Sequence, residues 1–175
     1  MAQAMVPPTW YERKFDFTFP AELLPNVLAR LRGTPARLEE LLHGSAAADT
    51  TRTFKPEGKW SAQEHAGHLL NLEPLWLARV ENFAAGATQL AVADLSNRAT
   101  DDANYNATPV SGILSGFRTQ RSGLLERVGK LDAAAFARVI THPRLKVPMR
   151  LVDPLYFVAE HDDHHMAQIW RLLQS

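Results

Sequence analysis

Apolar residues recur every three to four positions along four stretches of the chain, the spacing of amphipathic helices. In the first stretch, about Glu22 to Leu42, Leu24, Leu28, Leu31, Leu38 and Leu42 fall near one face. Pro25 suits the first turn, where a missing N–H loses no bond, and Gly44 suits the C-terminal stop. Pro35 lies deep inside the pattern and predicts a kink or a break. The second stretch has the clearest start. Ser61 three residues before Glu64 is a capping-box pattern, in which each side chain binds the other's backbone N–H. Leu69, Leu72, Leu75, Trp76 and Phe83 follow at helical spacing; Pro74 predicts a bend and Gly86 the end.

The third helix is predicted to start at Thr108 as N-cap with Pro109 as first helical residue. Its stripe is Ile113, Leu114, Phe117, Leu124, Val128 and Leu131. Gly112, Gly116 and Gly123 each lower its propensity by about 1 kcal/mol relative to Ala, and leave room for a close neighbour. The fourth runs from about Val152 to Leu173, with Asp153 and Pro154 in its first turn. Before it, Arg138 to Arg150 alternates weakly and holds Pro143 and Pro148, which reads as a short extended hairpin or an irregular loop. Ala46 to Ala48, and Ser96 to Asn106, read as connections between helices. Four helices with long second and third connections predict an all-α, four-helix bundle with a short extended segment before the last helix. No repeat or composition break divides the chain. The expectation is one domain over 1–175, with an N-terminal extension at 1–16 and the bundle at 17–173.

Composition narrows the function. The 175 residues carry 19 Lys+Arg against 19 Asp+Glu, so the net charge is zero, which argues against a general nucleic-acid binder. The absence of cysteine removes a thiol nucleophile, a disulfide framework, Cys-type zinc sites and iron–sulfur clusters. Met1 to Pro8 lacks the basic start and apolar run of a signal peptide, and no run of apolar residues is long enough to span a bilayer. A soluble, cytoplasmic protein that binds neither nucleic acid nor membrane is expected.

The seven histidines carry the candidate chemistry: His43, His65, His68, His142, His161, His164 and His165. On the fourth helix, Leu155, Val158, Ile169 and Leu173 set the inward direction. At about 100° per residue, His165 lies about 40° from it, His161 about 80°, and His164 about 140°, so His164 should look outward. His161 and His165 are an i, i+4 pair whose rings can converge on one point, the spacing at which one helix supplies two metal ligands. On the second helix both His65 and His68 lie near the inward face, so spacing leaves the choice of a third nitrogen open. Three neutral imidazoles with an open fourth position would make a catalytic zinc site, and the same donors suit nickel or iron. Against this stands the plainer reading that each inward histidine is a satisfied core residue.

Two segments resemble motifs of the DinB-like superfamily. Gly58-Lys59-Trp60-Ser61-Ala62-Gln63-Glu64-His65-Ala66-Gly67-His68-Leu69 resembles the opening of that family's second helix, where a Trp-Ser pair precedes the helix and a His-Leu pair follows. Ala159-Glu160-His161-Asp162-Asp163-His164-His165-Met166-Ala167-Gln168-Ile169 resembles the last-helix motif: His, three residues, His, then Gln-Ile. The resemblance spans about Phe17 to Leu173. It implies an up-down-down-up four-helix bundle, a homodimer, and a divalent ion held by His68, His161 and His165. Zinc or nickel stand first and iron or manganese are compatible. It also implies that the Asp101–Asn106 segment borders the site, with Asp102, Asn104 and Tyr105 as candidates. The turn at His142-Pro143 resembles that before the last helix in some members.

Functions known in the family are thiol-dependent S-transfer, a thiol-dependent isomerisation and metal-dependent hydrolysis. A metal-dependent enzyme activating a low-molecular-weight thiol or water is therefore the expectation. A thiol would have to come from a cosubstrate. A hydrolase needs a carboxylate near the water as general base, and Asp162 is the nearest candidate by sequence. Orienting a ligand imidazole, or bonding between helices, explains Asp162 as well and carries more weight. The alternative is a non-catalytic, metal-stabilised, stress-associated binding protein. An apolar pocket beside the histidines would favour the enzyme, with Trp60, Trp76, Tyr105 and Phe157 as candidate walls.

Overall fold

The computed structural model describes residues 8–44 and 49–174. The connection expected at Ala46–Ala48, and all of the N-terminal stretch before Pro8, lie outside the described residues. The elements in order are α1 (Leu24–Glu39), α2 (Asp49–Thr53), α3 (Ala62–Ala85), α4 (Arg98–Asp102), α5 (Val110–Gly129), α6 (Ala133–Ala137), β1 (Val139–Thr141), β2 (Pro148–Arg150) and α7 (Val152–Leu173). A 3-10 turn, Ala21–Leu23, leads into α1, and a π-helical turn, Glu40–Gly44, continues it. The four predicted helices are α1, α3, α5 and α7. The predicted hairpin is β1–β2, antiparallel, with Ile140 opposite Met149 on its buried face. No helix among the described residues is long and apolar enough to cross a membrane.

Contacts fix the topology. α1 and α3 each pack on both α5 and α7, so helices consecutive in the chain, α1 and α3, stand diagonally. Along α1 and α7 the partners ascend together: Phe19 meets Tyr156, Arg30 meets Glu160, and Arg37 meets Asp163. Along α3 and α5 they also ascend, from Gln63–Thr108 through Glu73–Arg121 to Glu81–Arg127. Across α3 and α7 they run oppositely, His65 to His165 and Trp76 to His161. The bundle is therefore up-down-down-up. Since α3 and α5 are parallel, the chain from Gly86 to Pro109 must return the length of α3, and this crossover becomes a wall of the site.

Local signals explain most boundaries. Ser61 and Glu64 form both bonds of the capping box, and Gly86 closes α3 in the left-handed conformation. The break expected at Pro35 does not occur, because α1 runs through it. Proline removes the N–H that would satisfy the Leu31 carbonyl, and Arg121 Nη1 donates to that carbonyl instead at 3.3 Å. Of the four glycines in α5, Gly116 meets the Leu70 side chain, whereas Gly112, Gly123 and Gly129 face open space.

The core has two apolar clusters. One, toward the hairpin, holds Leu31, Trp76, Phe83, Leu124, Ile140, Met149 and Leu155; the other holds Leu38, Leu69, Ile113, Phe117 and Ile169. Between them lies a buried polar layer made of Thr34, Glu73, Arg121 and Asp162, with His68, His161 and His165 at its edge. Residues before α1 also belong to the body of the molecule. Trp10 packs on Phe157 and His161 at ring separations of 4.9 Å, and Arg13 pairs with Glu160.

The crossover is pinned to α3. Gln63 Nε2 donates to the carbonyls of Tyr105 and Thr108 at 2.6 and 2.7 Å, and the Tyr105 hydroxyl donates to Asn71 Oδ1 at 2.5 Å. The Tyr105 ring lies directly on Gly67, where a Cβ would overlap it. Gly67→Ala is expected to lose about 1–3 kcal/mol through this overlap, outweighing the roughly 1 kcal/mol gain in helix propensity. Thermal melting checks this, and a Tm at or above wild type would show that the ring yields freely.

Candidate metal centre

His161 and His165 lie one turn apart on α7, and their Nε2 atoms come within 3.1 Å of each other. His68 enters from α3, so that one nitrogen from each ring lies within 4.8 Å of the others. All three are buried, at 4%, 3% and 6% exposure. Burial is the main cause of their lowered pKa values: His68 falls to about 4, and His161 and His165 fall well below their ordinary range. At neutral pH all three are uncharged, the form that ligates metal.

The outer nitrogens of His68 and His165 are held by neighbours, whereas His161 Nδ1 is buried without a partner among the described residues. Thr100 Oγ1 lies 3.0 Å from His68 Nδ1, leaving Nε2 as the ligating atom. His65 Nδ1 lies 2.8 Å from His165 Nδ1. With His165 Nδ1–H donating to the lone pair of His65, Nε2 of His165 is free to ligate. Such partners orient the rings and raise ligand basicity. Two imidazole nitrogens at 3.1 Å suit a shared ion, since bonds of about 2.0–2.1 Å in tetrahedral geometry place ligands slightly more than 3 Å apart. The donor set therefore fits a divalent ion.

These histidines form one wall of a cavity of about 800 Å³. Trp60 lies over the rings of His68 and His165, at 4.7 and 6.2 Å, and is fixed by its Nε1–H donating to Asp101. Trp76, Phe157, Leu72 and Val92 make the walls largely apolar, and Trp10 from the N-terminal segment closes one side.

The sequence model of the DinB superfamily matches residues 30–169. The chain belongs to the DinB superfamily. Among solved structures it resembles YfiT from Bacillus subtilis, described as a probable metal-dependent hydrolase with an unusual four-helix bundle topology. Identity is 19%, each chain is covered to 93%, and the TM-score is 0.78. It also resembles the mycothiol-dependent maleylpyruvate isomerase at 11% identity, with a TM-score of 0.66 over 86% of this chain and 61% of that one. This chain therefore accounts for less than two thirds of the isomerase. No curated protein matches.

Within this DinB fold, the tie between His65 and His68 resolves by position. His68 joins the converging trio, and His65 backs His165. His164 differs from its expected outward position. It is half-buried on the cavity wall, 5.7 Å from the Trp10 ring, because the N-terminal segment folds over the face that helical geometry leaves open. Asp162 does not line the cavity. Its carboxylate accepts from Arg121 Nη1 at 2.6 Å and Thr34 Oγ1 at 3.0 Å, a bond between helices that gives it no geometry for a general base. Trp60, Trp76 and Phe157 wall the cavity as expected, whereas Tyr105 does not line it and packs on Gly67. Asp102 and Asn104 do not line it either. Their segment instead contributes Thr100, one residue outside the stretch singled out by resemblance. Sequence reading also missed Trp10, Arg79 and Arg144, which are chemically unremarkable until the fold brings them to one cavity.

Proposed function

We propose that this DinB-superfamily protein is a divalent-metal-dependent enzyme that activates a low-molecular-weight thiol for transfer to a second substrate in the same cavity. The observation that carries this reading is the convergence of three neutral imidazoles, His68, His161 and His165, on an apolar-walled cavity large enough for small-molecule reactants. A divalent ion held by them supplies Lewis acidity, which lowers the pKa of a coordinated thiol or water. Thiol chemistry is favoured because the cavity lining contains a single carboxylate, Asp94, which accepts from the Ser96 backbone in its own loop. A thiol, with an ordinary pKa of about 8.5, needs no strong base. His164 lines the same cavity, with its ring 5.2 Å from that of His165, and in this reading takes the thiol proton. The chain has no cysteine, so the sulfur belongs to a cosubstrate.

A second reading, hydrolysis by activated water, rests on the likeness to YfiT over nearly the whole chain. Elemental analysis of protein purified without chelators is expected to find about one divalent ion per chain, lost in His68→Ala and in His161→Ala/His165→Ala. Consumption of free thiol by the loaded protein, given an electrophile, supports transfer; turnover of esters or amides without thiol supports hydrolysis. Absence of metal even after reconstitution with zinc or nickel overturns the ligand set.

A further inference from the structure

The most unusual charge in the molecule is Arg79. It lies on α3, one turn beyond Trp76, lines the cavity, and is 3% exposed. Its hydrogen bonding among the described residues is a single donation, from Nε to the Ala91 carbonyl at 3.1 Å. Both terminal amino groups are left without an acceptor, and no carboxylate pairs with the side chain. Buried arginines ordinarily have such a partner; Arg121, on α5, has two. The charge that acts on Arg79 is instead a second cation, Arg144. Burial and this neighbour lower the Arg79 pKa to about 10, which still leaves it charged. Arg144 is itself held over the rings of Tyr11 and Phe157, at 5.6 and 5.9 Å, with no acidic partner among the described residues.

Two neutral donors border the same space. His142 Nδ1 accepts from the backbone N–H groups of Arg144 and Leu145, which fixes the hydrogen on Nε2, and that Nε2 is buried without an acceptor. Trp76 Nε1 is buried without one as well. One wall thus gathers two guanidinium groups and two N–H donors facing no acceptor. The buried donors of His142 and Trp76 each carry a desolvation penalty of about 1–3 kcal/mol while unpaired, and the two guanidinium groups beside them have no counter-ion among the described residues, so the arrangement is costly unless something else completes it. An oxyanion does so: a guanidinium presents paired donors that match a carboxylate.

We infer that Arg79, supported by Arg144, His142 and Trp76, binds an oxyanionic group, most simply a carboxylate, of the enzyme's substrate. This rests on the reading above that the cavity is a reaction site. The Trp76 ring lies 5.2 Å from Arg79 Cζ and 5.7 Å from the His161 ring, so one indole links the guanidinium to the three-His centre. A substrate with its carboxylate on Arg79 would therefore place its reactive atom at the three-His centre after spanning about one indole. The electrophile is a small organic acid whose reactive carbon is separated from the acid by an apolar stretch, and neutral analogues are discriminated against.

Binding of benzoate, phenyl phosphate and the uncharged benzamide to the full-length protein tests this, followed by calorimetry and by the fluorescence of the cavity tryptophans. Benzoate is expected to bind at least tenfold tighter than benzamide, and Arg79→Met to abolish that preference while leaving benzamide unchanged. Arg79→Lys should restore part of it. Phenyl phosphate binding tighter than benzoate would assign the same site to a phosphate group. Because a carboxylate can also bind metal directly, the series is repeated in metal-free His161→Ala/His165→Ala. A preference that persists there and still depends on Arg79 holds even if the metal reading fails. Equal binding of benzoate and benzamide to wild type overturns the inference. Arg79→Met should also melt no lower than wild type, since it removes an unpaired buried charge; a marked loss of stability would give Arg79 a structural role and overturn the assignment.

Discussion

Arg121→Met is expected to lose about 3–5 kcal/mol, a large part of the 5–15 kcal/mol that holds a typical domain together. Arg121 is nearly fully buried and forms a planar fork between two carboxylates. Its Nη2 meets Glu73 Oε1 at 2.6 Å, and its Nη1 meets Asp162 Oδ2 at 2.6 Å. The same group satisfies the Leu31 carbonyl left open by Pro35, so it joins α1, α3, α5 and α7 in one layer. Removing it strands two buried carboxylates and a carbonyl. The balance is already tight: burial pushes the Glu73 pKa up to about 7 even with Arg121 beside it. Breaking the cluster and replacing it should therefore differ. Arg121→Met/Glu73→Met/Asp162→Leu, which leaves no orphaned charge, is expected to recover most of the loss, because well-packed apolar groups commonly equal or exceed a buried ion cluster. Urea unfolding of the two variants checks this. A loss under 1 kcal/mol in Arg121→Met would mean the carboxylates find water or shed their charge easily. Asp162 directly follows His161, so Arg121→Met should also weaken metal binding, by loosening the turn that aims the ligands.

What the sequence makes legible here follows from the range of each interaction. The cap at Ser61–Glu64, the stop at Gly86 and the His161/His165 pair are determined within one or two turns, and periodicity exposes them. Choosing His68 over His65 depends on how α7 approaches α3, which spacing on one helix does not contain. Pro35 misleads for the same reason: the donor that compensates it, Arg121, is 90 residues from Leu31 in the chain. His164 is misplaced because a helical wheel assigns solvent to every face without a stripe. Here Trp10, which belongs to no periodic segment, covers that face. The short α2, α4 and α6 are too brief for periodicity and form on a surface supplied by the long helices. Arg79 is the sharpest case. In the sequence it is one more charge in a helix, and only the absence of a partner in three dimensions distinguishes it.

Acidification is expected to destabilise the protein stripped of metal well above the pH at which carboxylates are protonated. Five histidines lie in environments that strongly disfavour the imidazolium, and burial lowers His164 as well. Burial takes His65 to about 3, His68 and His142 to about 4, and His161 and His165 well below their usual range. In the unfolded chain each titrates near 6.5. Between pH 6.5 and about 4 the unfolded state therefore binds protons that the folded state refuses, and stability falls as pH falls. Each histidine contributes up to about 1.4 kcal/mol per pH unit in that window. Glu73 acts in the opposite direction. Its folded pKa of about 7 lies above the unfolded value, so its contribution is complete at low pH and is lost as pH rises toward 7. One group against five leaves roughly 5 kcal/mol per unit at the steepest point, enough to unfold a typical domain within one to two pH units. Urea midpoints at pH 7.5, 6.5 and 5.5 measure it. A flat profile would show that the histidines are hydrated rather than buried. A bound divalent ion stabilises only the folded state and should move the transition to lower pH, by an amount that grows with ion concentration above Kd. In His161→Ala/His165→Ala that displacement should vanish, and the slope should shrink by about two histidines' worth.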